Sequence, residues 1–218
     1  MKSFMFGKTA SDLPIMAHQF GNSGPKVLIL GGVHGDEWEG VVAAQSLLGK
    51  FYEAYTYKLQ LTIVPMFNLD GVIKSQRKNS KGIDLNRNLP TNDWTTNVAE
   101  ERYAPGSSAN SEPENQALVR WLDENKPKII ISLHSWKPML NTNGNCQPEA
   151  DVIAKLTDYK IQESIGYPTP GCLGTYCGLE RDMPTITYEI ERDIEPGKIL
   201  HVHVPAIMEA LKETEKRR

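Results

Sequence analysis

Two histidines and one glutamate stand where buried strands of a sheet are expected to end. His34 and Glu37 belong to the tetrapeptide HGDE, which follows the apolar run Lys26–Gly32, and His134 closes a second apolar run, ISLH. Such strand ends share one rim in open α/β sheets. Two imidazoles and a carboxylate suit zinc and leave a coordination position for water. The pattern predicts a catalytic site with one zinc ion, although HGDE alone is more typical of a capping acid beside a surface histidine.

A hydrolytic zinc site also needs a base that takes a proton from water and returns it to the leaving amine. Glu189 is the best candidate, because it lies inside the β-branched segment PTITYEIE on the face shared by Thr185 and Thr187. A carboxylate inside a strand is costly unless it has a partner or a function. Glu191 on the same face is the second candidate, and an edge-strand salt bridge is the structural alternative.

The polar stretch from residue 73 to residue 105 supplies cationic groups. It contains Arg77 and the pair Asn86 and Arg87, and its lack of periodicity predicts a long ordered loop. A guanidinium group binds a carboxylate through two hydrogen bonds, and an arginine near a metal can polarise a carbonyl and stabilise an oxyanion. A solvated basic loop without such a role is the alternative.

The remaining histidines do not extend the predicted metal set. His18 is isolated, and His201 and His203 lie near the start of the last predicted helix as surface or packing residues. The cysteines are few, odd in number and without C-x-x-C spacing, which predicts reduced thiols. They are Cys146, Cys172 and Cys177.

The length and composition of the chain favour a single globular domain. The 218 residues contain no dividing linker, so a single catalytic domain over residues 1–218 is expected. The 24 basic and 27 acidic side chains leave a charge of −3, which does not favour nucleic acid as a partner. No run approaches the roughly 20 apolar residues of a membrane helix, and the first residues lack a signal-peptide pattern. A cytoplasmic monomer or homodimer is the expectation.

Strands and helices alternate along the chain. Strands are predicted at Lys26–Gly32, Leu59–Phe67, Lys128–Trp136 and Pro184–Glu191. Helices are predicted at Glu37–Leu48, from a cap at Ser111 through Asn125, at Pro148–Ile165 and from Val204 onward, with a turn at NLDG. This order predicts an α/β fold, a three-layer α/β/α sandwich with a mixed, mostly parallel central sheet.

Four motifs in this order, GGVHGDE, IDLNRN, SLHSW and ITYEIE, resemble the zinc carboxypeptidase superfamily of the carboxypeptidase A type. The segments SEPENQAL and SIGYPTPGCLGTYCGL are similar to those of its compact bacterial branch, the murein peptide amidases. The resemblance extends from about Lys26 to Glu191 and implies a zinc carboxypeptidase-like fold and hydrolase activity.

The resemblance implies a role for each matching residue. The implied zinc ligands are His34, Glu37 and His134, the implied base is Glu189, and the implied carbonyl-polarising group is Arg77. Asn86 and Arg87 would bind the terminal carboxylate of the substrate, and Tyr167 would be the mobile tyrosine that closes over it. Gly174 and Tyr176 would line the side-chain pocket.

The resemblance also implies a substrate. It is the murein tripeptide L-alanyl-γ-D-glutamyl-meso-diaminopimelate, cut at the γ-D-glutamyl bond during peptidoglycan recycling. Diaminopimelate has a free carboxylate beside the scissile amide, which Asn86 and Arg87 would anchor before water attacks.

Two alternatives remain open. Deacylases such as succinylglutamate desuccinylase and aspartoacylase share H-G-x-E and D-L-N-R patterns, but they place an acidic residue where this chain has Ser132, two residues before His134. A non-catalytic peptide-binding module would be favoured if the base were missing, and Glu189 is present.

Overall fold

The computed structural model describes residues 1–217, and within that range the strands form one eight-stranded sheet. The strands are β1 (Lys2–Lys8), β2 (Pro14–Phe20), β3 (Lys26–Gly31), β4 (Gln60–Val64), β5 (Ile129–Trp136), β6 (Met139–Asn143), β7 (Lys160–Gln162) and β8 (Thr185–Glu191). The α-helices are α1 (Trp38–Glu53), α2 (Leu69–Lys74), α3 (Pro113–Asn125), α4 (Gln147–Thr157), α5 (Pro196–Lys198) and α6 (Val204–Arg217). Two 3₁₀ turns, Leu85–Arg87 and Glu101–Tyr103, and two π-helical turns, Gly174–Leu179 and Ile199–His203, complete the structure.

The sheet is mixed and mostly parallel, as predicted. Its order is β1-β2-β4-β3-β5-β8-β6-β7, and the central strands β4, β3, β5 and β8 run parallel. Strands β1 and β2 add antiparallel pairs at one side, and β6 pairs antiparallel with β8 at the other. The parallel register of β5 and β8 pairs His134 with Glu189. One predicted ligand and the predicted base therefore start from neighbouring backbone positions.

Two apolar layers cover the sheet, so the predicted three-layer sandwich is confirmed. On one face, α1, α4 and α6 pack through residues such as Leu47, Ile153 and Ile207. On the other face, α3 packs through Leu118, and part of the long polar loop joins it through Leu85. Because β3 and β5 alternate between these two cores, both strands are apolar along most of their length.

Several local predictions were wrong. The NLDG turn is the start of α2, where the Asn68 side chain accepts a hydrogen bond from the Gly71 N–H. Ser111 does not cap α3, because its hydroxyl donates to Glu112 instead. The helix predicted up to Ile165 ends at Thr157, since Asp158 takes a left-handed conformation and β7 follows. Strands β1, β2, β6 and β7 were not predicted.

The stretch from residue 73 to residue 105 is an ordered loop, as predicted. Apart from the end of α2 and two 3₁₀ turns, it is irregular. Its backbone is held by buried amides: the Asn88 side chain donates to the carbonyl of Pro105, and Asn79 accepts from the Ile83 N–H. Such side-chain hydrogen bonds replace the regular ladder that the loop lacks. Among residues 1–217, no helix has the length and apolar character needed to cross a membrane.

Candidate active site

The first predicted ligands stand at the junction between β3 and α1. Glu37 occupies the N-cap position of α1, yet its carboxylate makes no capping hydrogen bond. His34 and Glu37 are 3% and 4% exposed. HGDE therefore does not form a capping acid beside a surface histidine. The backbone instead aims both side chains into the sheet edge, where the Ser135 N–H donates to Glu37 Oε2 at 3.2 Å.

His34, Glu37 and His134 converge on one point. Glu37 Oε1 lies 2.9 Å from Nδ1 of His34, and Glu37 Oε2 lies 2.9 Å from Nδ1 of His134. The two Nδ1 atoms are 3.2 Å apart. All three residues are buried, and each offers one possible metal-ligand atom within 4.8 Å of those of the other two. Two imidazole nitrogens and a carboxylate thus face each other in a buried site. This arrangement is stabilised when the three groups share a cation.

The far side of each imidazole ring is hydrogen bonded, which fits metal binding through Nδ1. Nε2 of His34 lies 3.1 Å from Asp84 Oδ1, and Nε2 of His134 lies 3.0 Å from the Ser132 hydroxyl. In the tautomer with a proton on Nε2, both rings donate to these oxygens and leave the Nδ1 lone pairs for a metal. The residues present therefore fit zinc, the metal that the sequence predicts.

Asp84 is a site residue that the sequence analysis missed. It is fully buried and accepts hydrogen bonds from Arg77 Nε, at 2.9 Å, and from the Asn86 N–H. Burial alone would raise its pKa, but the charges of His34 and Arg77 hold the pKa of Asp84 well below its usual range. The motif IDLNRN contains this aspartate. Its position between Arg77 and Arg87, the two arginines predicted for the site, was the signal that could have identified it.

Arg77 is fixed between Asp84 and the metal ligands. Its Nη2 lies 2.8 Å from Asp84 Oδ2, while Nη1 lies 3.4 Å from Glu37 Oε1. Only 12% of its side chain is exposed. The guanidinium group is therefore not a solvated loop charge, and Nη1 points toward the metal cluster, where a substrate carbonyl would have to lie.

Glu189 is the buried acid of the cleft. It lies on β8, a strand paired on both sides, and within residues 1–217 its Oε2 has no hydrogen-bond partner. Burial, reinforced by the charge of Glu37 and opposed mainly by His134, raises the pKa of Glu189 to about 7. An edge-strand salt bridge is thus excluded for Glu189. Glu191, the second candidate, is exposed and does not line the cleft.

Asn86 and Arg87 form a second polar group in the cleft. Asn86 Oδ1 accepts a hydrogen bond from the Leu173 N–H at 2.9 Å, and Arg87 Nη1 donates to the Asn86 carbonyl at 2.7 Å. The Arg87 guanidinium lies 5.0 Å from the ring centroid of Tyr103. Arg87 is only 3% exposed, so it too differs from a solvated basic loop. These contacts hold a cation and a neutral amide at one wall of the cleft.

Tyr167 and Gly174 also line the cleft. The Tyr167 ring lies 5.9 Å from Tyr103 and 5.8 Å from Trp136, centroid to centroid, and burial raises the pKa of its hydroxyl. A Cβ on Gly174 would lie 2.3 Å from Asn143 Oδ1, so no larger residue fits there without displacing Asn143.

Tyr176 does not line the cleft, and the prediction that it forms the side-chain pocket is wrong. It is 2% exposed and packs in the apolar core beneath α3. Its ring lies 3.5 Å from the guanidinium carbon of Arg181, outside the cleft. Residues 174 and 176 are two positions apart in a helical turn, so they face nearly opposite sides, and residue 176 lies on the side of the core.

Other residues of the cleft were not predicted. They are Arg102, Tyr103, Ser135, Trp136, Asn141, Ile165, Thr169, Cys172, Thr187 and Arg192. Two of them follow a strand directly or end it: Trp136 is the last residue of β5, and Arg192 follows β8. Since ligands bind beyond the carboxyl ends of parallel strands, this position was the signal for both. His201 is exposed, while His203 is buried against Tyr188, so neither joins the metal cluster.

A profile of the zinc carboxypeptidase family matches residues 1–191 of the chain. The chain belongs to this family. It is accordingly a hydrolase of the metallopeptidase type, and membership in the zinc carboxypeptidase family implies zinc at the cluster of two histidines and one glutamate. The resemblance found in the four sequence motifs is confirmed.

Individual relatives support the same assignment. Murein peptide amidase A of Vibrio campbellii is 28% identical over 95% of this chain and 86% of its own length. Murein peptide amidase A of Escherichia coli K12 is 32% identical over 69% of this chain and 65% of its own length. The crystal structure of murein-tripeptide amidase from Escherichia coli O157 matches with a TM-score of 0.82 and 25% identity, covering 97% of this chain and 92% of that one. Bovine thrombin-activatable fibrinolysis inhibitor, at 20% identity and TM-score 0.84, shares the zinc carboxypeptidase fold.

Proposed function

We propose that this zinc carboxypeptidase family member is an amidase that hydrolyses the γ-D-glutamyl–meso-diaminopimelate bond of murein peptides. The observation that carries the proposal is the cleft itself, in which the three candidate metal ligands, an unpaired buried acid and an arginine-rich wall face one another. The similarity to two murein peptide amidases over most of the chain supports the choice of substrate.

His34, Glu37 and His134 are the proposed ligands of one zinc ion. Bound zinc supplies a Lewis acid that polarises a carbonyl and lowers the pKa of water. Glu189 takes the proton of the attacking water and delivers it to the leaving nitrogen, and a pKa near 7 suits both transfers at neutral pH. Arg77 Nη1 is placed to donate to the carbonyl oxygen as negative charge develops on it.

The polar wall of the cleft orients the substrate. Arg87 and the side-chain amide of Asn86 would bind the carboxylate beside the scissile amide, which fixes the leaving group before the attack. Tyr167 covers this part of the cleft from the segment between β7 and Gly174.

The pocket next to Gly174 fits the distal end of diaminopimelate, which has both an ammonium and a carboxylate group. Neutral polar side chains contribute to the lining of the cleft, among them Asn141, Thr169 and Thr187. The acids that line the cleft are Glu37 and Glu189, and both belong to the catalytic set. A purely cationic side chain would require a further acid, and a purely apolar one would leave these polar groups unpaired.

The proposal includes a cytoplasmic role in recycling murein peptides. Cys172 and Cys177 are free thiols in the structure, and Cys177 is buried, which is typical of proteins from reducing compartments. Cell fractionation with detection of the untagged protein tests the location, and recovery in an oxidising compartment would contradict it.

The direct test is release of free meso-diaminopimelate from L-alanyl-γ-D-glutamyl-meso-diaminopimelate. We expect release by the zinc-loaded protein, loss of release after chelation, and recovery when zinc is restored. Glu189→Gln should lower kcat by about 10³-fold while zinc content stays at the wild-type level, because a missing base slows proton transfer without removing a ligand. Glu191→Gln is the matched control, since Glu191 lies two residues further along β8 and is exposed.

N-acetyl-aspartate serves as the competing substrate in the same assay. Cleavage of N-acetyl-aspartate with an intact tripeptide would favour a deacylase of the aspartoacylase type. If the zinc-loaded protein cleaves neither compound, the proposed amidase function is wrong.

A further inference from the structure

Arg192 is a cation of the cleft that the proposed catalytic steps do not use. It follows the last residue of β8, three positions after Glu189, and its side chain is 35% exposed and lines the cleft. Its backbone N–H donates to the Trp136 carbonyl at 3.0 Å, which anchors it to the end of β5. Arg192 therefore stands at the rim where the predicted zinc ligand and the base also emerge.

One edge of the Arg192 guanidinium group is hydrogen bonded to Asp36, and the rest of the group is free to bind a ligand. Nη2 donates to both the carbonyl oxygen and Oδ2 of Asp36, each at 2.8 Å. Within residues 1–217, Nε and Nη1 make no hydrogen bond to protein. Because Asp36 holds the group in place, little side-chain entropy would be lost when an anion binds to the free edge.

Arg192 and Arg87 line the same cleft but are held by different segments of the chain. Arg87 is held by the 3₁₀ turn at Asn86 and stacks on Tyr103, whereas Arg192 is held by Asp36 in the HGDE segment. No hydrogen bond connects the two arginines in the described part of the chain. The cleft thus offers two separate cationic positions, and one terminal carboxylate occupies only one of them.

A γ-linked glutamyl residue has a carboxylate that an ordinary peptide lacks at this place. Its side-chain carboxyl forms the scissile amide, so its α-carboxylate remains free, a few carbons away on the acyl side. The carboxylate of the leaving group lies on the other side of the same amide. A substrate of this kind therefore presents two anions flanking the scissile bond, and the cleft has two arginines with separate anchors to bind them.

We propose that Arg192 is a specificity-determining residue that binds the free α-carboxylate of the γ-glutamyl unit. The inference rests on the proposed amidase function and adds the group that distinguishes γ-linked from ordinary α-linked substrates. A hydrogen-bonded charge pair of this kind favours the charged substrate by about 10- to 100-fold.

The test compares two substrates that differ only in that carboxylate. One is the tripeptide, and the other has a 4-aminobutyryl unit in place of the γ-D-glutamyl unit. We expect zinc-loaded wild-type protein to cleave the tripeptide with a kcat/KM about 10- to 100-fold above that of the analogue. Arg192→Gln should lower kcat/KM for the tripeptide by a similar factor and bring the ratio of the two substrates close to one.

The ratio separates binding of the carboxylate from indirect effects. Loss of Arg192 also removes a charge that lowers the pKa of Glu189, but that change affects both substrates alike. Arg181→Gln is the matched control, because Arg181 is 33% exposed, pairs with an acid and lies outside the cleft, so its ratio should equal that of wild type.

Each outcome has a distinct meaning. If wild type cleaves both peptides and Arg192→Gln leaves their ratio unchanged, Arg192 has only a structural role and the inference is overturned while the amidase function stands. If wild type cleaves neither peptide, the amidase function fails and the inference fails with it. Melting temperatures of the variants show whether a lost activity reflects unfolding.

Discussion

Asp84, which was not predicted as a site residue, connects three residues that were. Its Oδ1 accepts from the Asn86 backbone and contacts Nε2 of His34, while Oδ2 binds Arg77. A carboxylate behind a metal-binding histidine fixes the ring orientation and increases the basicity of the coordinating nitrogen. Orientation of His34 and of Arg77 is therefore coupled through one buried side chain.

We expect Asp84→Asn to weaken zinc binding by about 10- to 100-fold, because the amide cannot supply the negative charge opposite His34. Zinc competition with a chromophoric chelator measures the change. Asp70→Asn is the matched control, since Asp70 is also buried and hydrogen bonded but lies at Thr9 and Ser80, away from the cluster. Equal zinc affinities for wild type and Asp84→Asn would contradict the role given to Asp84.

At this scale the sequence was informative about residue types and less so about their partners. His34, Glu37 and His134 were predicted to meet, because strand ends determine where they emerge, and the structure brings them together. Asp84 received no role although its motif was noted. Its main partner, His34, lies 50 residues away, and such a pairing depends on how the loop folds back over the sheet.

Among the secondary-structure elements, α1 determines where Glu37 stands, and its distance from the sheet depends on a glycine. A Cβ on Gly40 would lie 2.5 Å from the Leu133 carbonyl oxygen of β5. The helix can approach the strand this closely only because residue 40 has no side chain. Leu133 precedes His134, so this contact also sets the spacing between the two parts of the metal cluster.

Gly40→Ala and Gly49→Ala should change stability in opposite directions. Both glycines belong to α1, but a Cβ on Gly49 has no atom within 4 Å. We expect Gly40→Ala to lower the free energy of unfolding by about 1 to 3 kcal/mol through overpacking. Gly49→Ala should raise it by up to about 1 kcal/mol through helix propensity. Urea unfolding measures both, and a stabilised Gly40→Ala protein would show that α1 does not pack this closely on β5.

The π-helical turn Ile199–His203 places a histidine inside the core between β8 and α6. His203 is 2% exposed, and its Nδ1 shares a hydrogen bond with the Tyr188 hydroxyl. Burial, together with Lys198, lowers the pKa of His203 to about 4. The native protein therefore disfavours protonation of a group that protonates in the unfolded chain near pH 6.5.

The resulting stabilisation is present above about pH 6.5 and is lost as pH falls toward 4, because the unfolded state then binds a proton that the native state does not. From pH 7 to pH 5 we expect wild type to lose about 2 kcal/mol more unfolding free energy than His203→Gln. Urea titrations at the two pH values measure this difference. His201→Gln, an exposed histidine on the same turn, should retain the wild-type pH dependence. Identical slopes for wild type and His203→Gln would contradict the assignment.

For elements, patterns of apolar residues were sufficient where an element is long and covered on one or both faces. The strands β3, β5 and β8 and the helices α1, α3 and α6 appear near their predicted positions. Strands β1, β2, β6 and β7, at the two sides of the sheet, and the π-helical turn at Gly174–Leu179 were not predicted. Tyr176 was therefore assigned to the wrong side of this turn, whose core-facing side is set by packing in the tertiary structure.

For the molecule as a whole, the cluster of His34, Glu37 and His134 connects distant parts of the chain. His34 and Glu37 belong to the β3–α1 junction, and His134 lies about 100 positions later on β5. A ligand that binds the native state and not the unfolded chain stabilises the fold in proportion to the logarithm of its concentration. Zinc should therefore act on global stability and not only on activity.

We expect chelation to lower the melting temperature by about 5 to 10 °C relative to protein with zinc at 100 times its Kd, which corresponds to about 2.7 kcal/mol. Differential scanning calorimetry with and without zinc measures the shift. His134→Ala should lose the response, whereas His18→Ala, which changes a half-buried histidine outside the cluster, should retain it. A His134→Ala protein with an undiminished zinc response would place the metal elsewhere.

The sequence by itself determined which reactive side chains are present and at which edge of the sheet they lie. Apolar runs identify the buried strands, and parallel strands end at a common rim. His34 lies just beyond the end of β3, and His134 and Glu189 lie near the ends of β5 and β8. These are consequences of local composition and of sheet geometry, which act over short stretches of chain.

Only the tertiary structure decided which groups support that chemistry and which face the substrate. Asp84 reaches His34, and Arg192 reaches Asp36 from the end of β8, through contacts between segments far apart in the sequence. Tyr176 packs in the core while Gly174 lines the cleft, where it lies against Asn143. Side-chain direction in irregular segments depends on such long-range contacts, and no periodic pattern in the chain encodes it.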